Sequence, residues 1–141
     1  MCGIAGIVST NRNEVNQQRS KKMTDIIAHR GPDGEGYWIS PNANVGLGHR
    51  RLSIIDLSHA ADQPMHYAER YTLIFNGEIY NYIELKETLI KQGYSFSTVS
   101  DTEVLMALYH QHKEKCLQML DGMFAFVLYD QLENEIFAAR D

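Results

Sequence analysis

The chain opens Met1-Cys2-Gly3-Ile4-Ala5-Gly6-Ile7-Val8, and this stretch constrains the fold of the rest. From Gly3 to Ser9, small and β-branched apolar residues run without a charge, the composition of a buried strand. That strand starts on a thiol. Once Met1 is removed, Cys2 carries a nucleophilic sulfur and a free α-amine on one residue. An α-amine has a reference pKa of roughly 7.7–8.0, so a useful fraction is unprotonated near neutral pH. It can take the thiol proton directly or through a water, as an N-terminal amine does for threonine nucleophiles. With Met1 in place the same nitrogen is an amide and cannot act as a base. The competing reading is plainer: Cys2 is a small hydrophobe at the end of the first buried strand.

Composition narrows the class. A chain of 141 residues makes one domain that buries roughly two thirds of the surface of its unfolded form. A net charge of −5 leaves no electrostatic footprint for nucleic acid or an anionic membrane. Arg19, Lys21 and Lys22 read as a solvated helix face. Two cysteines, Cys2 and Cys116, give neither a disulfide framework nor a zinc pattern, which points to a reducing cytoplasm. No apolar run reaches membrane-spanning length, and the N-terminus lacks the charged leader of a secretory signal.

Along the chain, the pattern predicts a helix from about Val15 to His29 with Met23, Ile26 and Ile27 as its apolar stripe. Gly31-Pro32-Asp33-Gly34 makes a sharp turn. Strands are expected at Tyr37–Ile39 and Val45–Leu52, then a loop from Leu57 to Arg70. Tyr71–Phe75 is the strongest strand signal and runs into Asn76-Gly77. A helix over Ile83–Gln92, with Ile83, Leu89 and Ile90 inward, stops at Gly93. Tyr94–Thr98 reads as a strand. Ser100-Asp101-Thr102-Glu103 matches a capping box opening a helix whose apolar face is Val104, Leu105, Leu108 and Tyr109. Lys113–Leu120 is a second helical piece, and Met123–Tyr129 pairs with Glu135–Ala139 as a hairpin. Strands outnumber helices and several are apolar on both faces. A sheet covered by helices, or two packed sheets with helices outside, satisfies that pattern.

Five further stretches carry chemistry: His29-Arg30-Gly31-Pro32-Asp33-Gly34, Gly48-His49-Arg50-Arg51-Leu52-Ser53, Asn76-Gly77-Glu78-Ile79-Tyr80-Asn81, Ser100-Asp101-Thr102-Glu103 and Gly122-Met123-Phe124-Ala125-Phe126. With Met1-Cys2-Gly3-Ile4, and in this order, they closely resemble the glutaminase domain of glutamine-dependent asparagine synthetases. Those are class II glutamine amidotransferases of the N-terminal-nucleophile hydrolase fold. The resemblance runs nearly the full chain, and Leu52-Ser53-Ile54-Ile55-Asp56 favours the asparagine synthetase branch over other amidotransferases. It implies an α+β fold, a four-layer α/β/β/α sandwich.

The resemblance also implies roles. Cys2 is the nucleophile. Arg51 holds the α-carboxylate of L-glutamine, since a guanidinium fork matches a carboxylate. On a strand its neighbour Arg50 faces the other way. Asn76 and Gly77 form an oxyanion hole, against the competing reading of Asn-Gly as a tight hairpin turn. Glu78 and Asp101 take the α-ammonium of glutamine, with Ser100 left to cap the helix. No catalytic role falls to the His29–Gly34 turn, which shapes a wall. His110 and His112 point apart on a helix, so no metal site is expected. Cys116 reads as a buried helix residue.

The implied activity is hydrolysis of glutamine to glutamate and ammonia, with no cofactor for that half-reaction. ATP and Mg belong only to a synthetase domain, whose glycine- and serine-rich motif does not occur here. Residues 1–141 are thus expected to be one amidotransferase domain, incomplete at its C-terminus, since Arg140-Asp141 resembles the opening of a longer family motif. Three readings stay open: the glutaminase half of an asparagine synthetase, the same half serving another acceptor, and a glutamine-binding fragment without turnover. A homodimer is also open. Neither nucleic acid nor membrane is an expected partner.

Overall fold

Strand β1 (Gly3–Val8) pairs antiparallel with β3 (Val45–Arg51), which in turn pairs with β2 (Gly34–Ile39), giving the order β1-β3-β2. This is seen in a computed structural model that describes residues 1–141. A second antiparallel sheet has the order β4-β5-β6-β7, from Met65–Tyr67, Tyr71–Ile79, Gly122–Asp130 and Glu135–Arg140. Period-two alternation sorts each central strand onto two faces. On β3, Val45 and Leu47 point between the sheets, where they meet Ile74 of β5 and Tyr129 of β6. On the opposite face of the second sheet, Leu73, Phe75, Phe126 and Leu128 form the larger core with Val104, Leu105 and Leu108. Those last three belong to α3 (Asp101–His112), which lies beside α2 (Tyr82–Lys91). Helix α1 (Gln17–Ile26) covers the first sheet. The result is the four-layer α/β/β/α sandwich.

Several local expectations change. Helix α1 is shorter than Val15–His29 and ends in a 3-10 turn over Ala28–Arg30. Its buried face carries Ser20 and Thr24, while Ile26 is 77% exposed. The reason lies in β3. A Cβ built on Gly48 would come within 2.6 Å of Thr24 Cγ2, so the helix sits too close for large apolar side chains. The expected loop at 57–70 contains β4, which pairs Met65 with Leu73. Tyr94–Thr98 is not a strand. Instead Glu103 accepts hydrogen bonds from the backbone and hydroxyls of Ser97 and Thr98, at 2.6–3.0 Å. Burial opposes the charge of Glu103, but these bonds outweigh it and hold its carboxyl below the ordinary value. The capping box is therefore half made: Ser100 Oγ accepts from Thr102 N–H, and Glu103 works elsewhere.

Of the three α2 residues expected inward, only Leu89 is; Ile83 and Ile90 are more than half exposed. On α3 every residue from Asp101 to Tyr109 is buried, so it is enclosed on all sides rather than amphipathic. Full burial of a leucine or phenylalanine contributes about 1.5–3 kcal/mol, which makes α3 and its sheet the main source of stability. The β6–β7 hairpin forms as expected. Cys116 is fully buried in this core, and burial pushes its thiol up to about 11, leaving it unreactive.

Candidate active site

The facing sides of the two sheets turn polar at the same end. Along β3 the row between the sheets reads Val45, Leu47, His49, Arg51; along β5 it reads Ile74, Asn76, Glu78. Cys2 extends the β1–β3 register by one step from Gly3↔Arg50, which sets it opposite Arg51. Where the apolar rows end, a cleft of about 150 Å³ opens. Cys2, Arg51, Gly77, Glu78 and Asp101 all line it, brought from β3, β5, α3 and the residue just before β1. Asn76 is not among the lining residues, although its side-chain Oδ1 is buried with no hydrogen-bond partner.

The thiol is held in place. Leu52 N–H donates to Cys2 Sγ at 3.3 Å, and the Sγ lies 3.6 Å from Leu52 O. Arg30 Nε donates to the Cys2 carbonyl at 3.0 Å, so the His29–Gly34 turn does more than shape a wall. Asp33 completes that contact by accepting from Ser53 N–H at 2.8 Å.

Arg50 and Arg51 point to opposite faces, as expected. Arg50 pairs with Glu35 at 2.7 Å and with Asp25, on the α1 side. Arg51 points inward and is 8% exposed. Its guanidinium donates to Ser58 O at 2.9 Å, to Asp62 Oδ1 at 2.5 Å and to Asp56 O. That occupies three of the five N–H donors of a guanidinium and leaves Nε–H and one Nη2–H free.

The backbone of β5 explains why Asn76-Gly77 is not a hairpin turn. The strand runs straight through it, pairing Asn76 with Ala125 and Gly77 with Phe124 of β6. In an antiparallel pair, alternate residues direct their backbone groups to one neighbour or the other. Tyr80 N–H donates to the carbonyl of Asp121, the residue that leads into β6, so even-numbered residues face β6. The odd-numbered ones face the other way, and there β4 ends at its Met65↔Leu73 pair. Beyond it, side chains substitute. Phe75 N–H donates to Gln63 Oε1 at 2.6 Å, and Ile79 N–H donates to Asp101 Oδ2 at 3.0 Å. Between them, Gly77 N–H points the same way with no strand or side chain opposite. Only glycine fits here: a Cβ on Gly77 would lie 2.1 Å from Met123 O and 2.6 Å from Phe124 Cα.

Asp101 is 4% exposed, and burial raises its pKa above the ordinary value, with the charge of Glu78 adding to the rise. The bonds from Ile79 and Thr102 act in the opposite sense. The cleft thus presents a thiol, a half-free guanidinium, two carboxyl groups and an unpaired backbone donor.

A family model of the glutamine amidotransferase domain matches residues 1–141. The chain belongs to this family. Across its whole length it is 46% identical to "Asparagine synthetase [glutamine-hydrolyzing] 1" of Bacillus subtilis (strain 168). It is 40% identical, again over all of its length, to "Amidase chry2" of Gibberella zeae. It spans 22% of the length of each of these relatives. Among solved structures, the allosteric regulatory enzyme of purine biosynthesis superposes with a TM-score of 0.81 over 100% of this chain and 37% of that one, at 23% identity. The sandwich is therefore an amidotransferase-domain fold.

Sequence reasoning gives no role to two cleft residues of this amidotransferase domain. His49 is 1% exposed, and its Nε2 donates to Phe75 O at 3.2 Å. Burial pushes the imidazole down to about 4, so it is neutral at physiological pH. Its position two residues before Arg51 on a strand is the available signal, since the two share a face. Gln63 lies in the stretch that reads as loop, and nothing in its local sequence marks it.

Proposed function

We propose that this chain hydrolyses L-glutamine to glutamate and ammonia, as the glutaminase half of an asparagine synthetase. The observation that carries this is the convergence of Cys2, Arg51, Gly77, Glu78 and Asp101 on one cleft. A free amino acid fits that set. The two free donors of Arg51 match its α-carboxylate, and Glu78 and Asp101 face its α-ammonium.

With Met1 removed, the Cys2 α-amine takes the thiol proton and Sγ attacks the side-chain amide carbon. Negative charge develops on the amide oxygen, where Gly77 N–H and the Asn76 side-chain amide meet it. For this the Asn76 Nδ2–H must turn toward the cleft, which Asn76 does not line in the free chain. The C–N bond breaks, the proton passes from the amine to the leaving nitrogen, and ammonia departs. Water then adds to the glutamyl thioester, releasing glutamate and restoring the thiol. No cofactor takes part. ATP and Mg serve the synthetase step, in which ammonia converts activated aspartate to asparagine in the full-length enzyme, in a reducing cytoplasm.

A different acceptor is the second reading: the chain spans 22% of these relatives' length, and one of them, 40% identical, is named an amidase and not an asparagine synthetase. The hydrolytic half is the same in both.

Calorimetric titration of L-glutamine into the Cys2→Ala chain tests the binding half. Saturable binding is expected, and Arg51→Lys should weaken it about tenfold to a hundredfold, because the ammonium keeps the charge and loses the fork. Equal affinity in the two chains, or no binding by a folded chain, would sink the assignment.

A further inference from the structure

Four residues form a hydrogen-bonded line along the wall of the cleft. His49 Nε2 donates to Phe75 O at 3.2 Å, Phe75 N–H donates to Gln63 Oε1 at 2.6 Å, and Gln63 Nε2 lies 3.5 Å from Thr102 Oγ1. Each end of the line sits next to the proposed catalytic machinery. His49 is two residues from Arg51, Phe75 adjoins Asn76-Gly77, and Thr102 adjoins Asp101. All three side chains that flank Phe75 are at least nine-tenths buried: His49 1%, Gln63 9% and Thr102 2% exposed.

The topology explains why these groups are needed. The β4–β5 register, continued from Met65↔Leu73, would place Gln63 opposite Phe75. The main chain leaves the sheet before that position, so the backbone N–H and C=O of Phe75 have no partner strand. Buried backbone groups left without partners are costly. Gln63 and His49 take them instead, one the donor and one the acceptor. The next outward group along the strand is Gly77 N–H.

We infer that His49 and Gln63 are positioning residues: they clamp Phe75 in place of a missing strand and so fix where Gly77 N–H points. This rests on the glutaminase reading, in which that N–H stabilises the tetrahedral intermediate. A backbone donor serves only if it is aimed at the developing oxyanion, and a displacement of about 1 Å can cost a hundredfold in rate. Both line the cleft, but His49 Nε2 and Gln63 Oε1 are taken up by the Phe75 backbone. Their loss is therefore expected in kcat and not in KM, since Arg51, Glu78 and Asp101 bind the far end of glutamine.

The test is steady-state glutamate release by the chain beginning at Cys2, with His49→Leu, His49→Gln and Gln63→Leu beside the wild type. Thermal unfolding and the amide signal of Gly77 are followed in parallel by calorimetry and NMR. His49→Leu and Gln63→Leu should each lower kcat about tenfold to a hundredfold, keep KM within about threefold and shift the Gly77 amide resonance. His49→Gln returns an N–H near the place of Nε2 and should recover most of kcat. Wild-type kcat in both leucine variants overturns the inference, as does a parallel loss of kcat and KM that the glutamine variant does not rescue. If one leucine variant fails to fold, the other decides: wild-type kcat or an unmoved Gly77 resonance in the surviving variant overturns the inference. An inert wild type sinks the glutaminase reading and this inference with it, whereas an active wild type with unaffected variants sinks only the inference.

Discussion

Asp101 Oδ2 accepts the Ile79 backbone N–H at 3.0 Å, tying the end of β5 to the first turn of α3. The same carboxyl lines the cleft and is buried. A carboxylate whose charge is opposed by burial, beside a second acid, is a poor choice for stability and a good one for binding an ammonium.

Asp101→Asn should therefore separate the two properties. Burial raises the Asp101 pKa, so the folded chain holds more protons than the unfolded one between the ordinary and the raised value. Stability then falls as pH rises through that window. Asparagine removes the dependence and can still accept from Ile79. At neutral pH, calorimetry should give a Tm no lower than wild type, while KM for glutamine rises about tenfold or more. A clear fall in Tm with an unchanged KM would contradict this.

Gly77→Ala tests the backbone approach of β5 to β6. The new methyl meets main-chain atoms at 2.1 and 2.6 Å, so the strands must part. Overpacking of this kind costs about 1–3 kcal/mol, or several degrees in Tm. Glutamate release should fall by at least about a hundredfold, because the donor moves with the strand. Retention of activity would show that Gly77 N–H is not part of the oxyanion site.

Much of this site is legible in the sequence, for reasons specific to each residue. Alternation on β3 separates Arg50 from Arg51, and the distance from Cys2 to the first paired residue is one step. Asn76-Gly77 reads either as a hairpin or as a strand site, because local sequence does not show that β6 continues alongside. Helix α1 departs from its apolar pattern for a tertiary reason: Gly48 brings the sheet so close that Thr24 fits and isoleucine does not. Glu103 has the spacing of a capping box, yet the chain at Ser97 and Thr98 takes its carboxylate instead. Gln63 acts through a strand that ends early, which no local pattern reports.

Asp130, far from the cleft, should carry acid stability without touching activity. Arg70 grips it at 2.7 and 2.6 Å and Lys113 adds a contact at 3.1 Å. Burial opposes its charge, but these partners prevail and hold its carboxyl at about 2. A depressed folded value means the contribution is complete above the ordinary carboxylate pKa and is lost as pH falls through about 2. Asp130→Asn should destabilise by about 1.5–3 kcal/mol at pH 7, less in strong acid, with KM and kcat unchanged. A pH-independent difference in denaturant midpoints would argue against the pairing.

The central claim is that Cys2, using its own α-amine, is the nucleophile. Glutamate release should be measured for three chains verified by mass: one beginning at Cys2, one retaining Met1, and one beginning at Cys2→Ala. The account predicts release from the first alone, since the second has an amide where the base should be and the third has no sulfur. Release from the alanine chain, or equal release with Met1 retained, would contradict it.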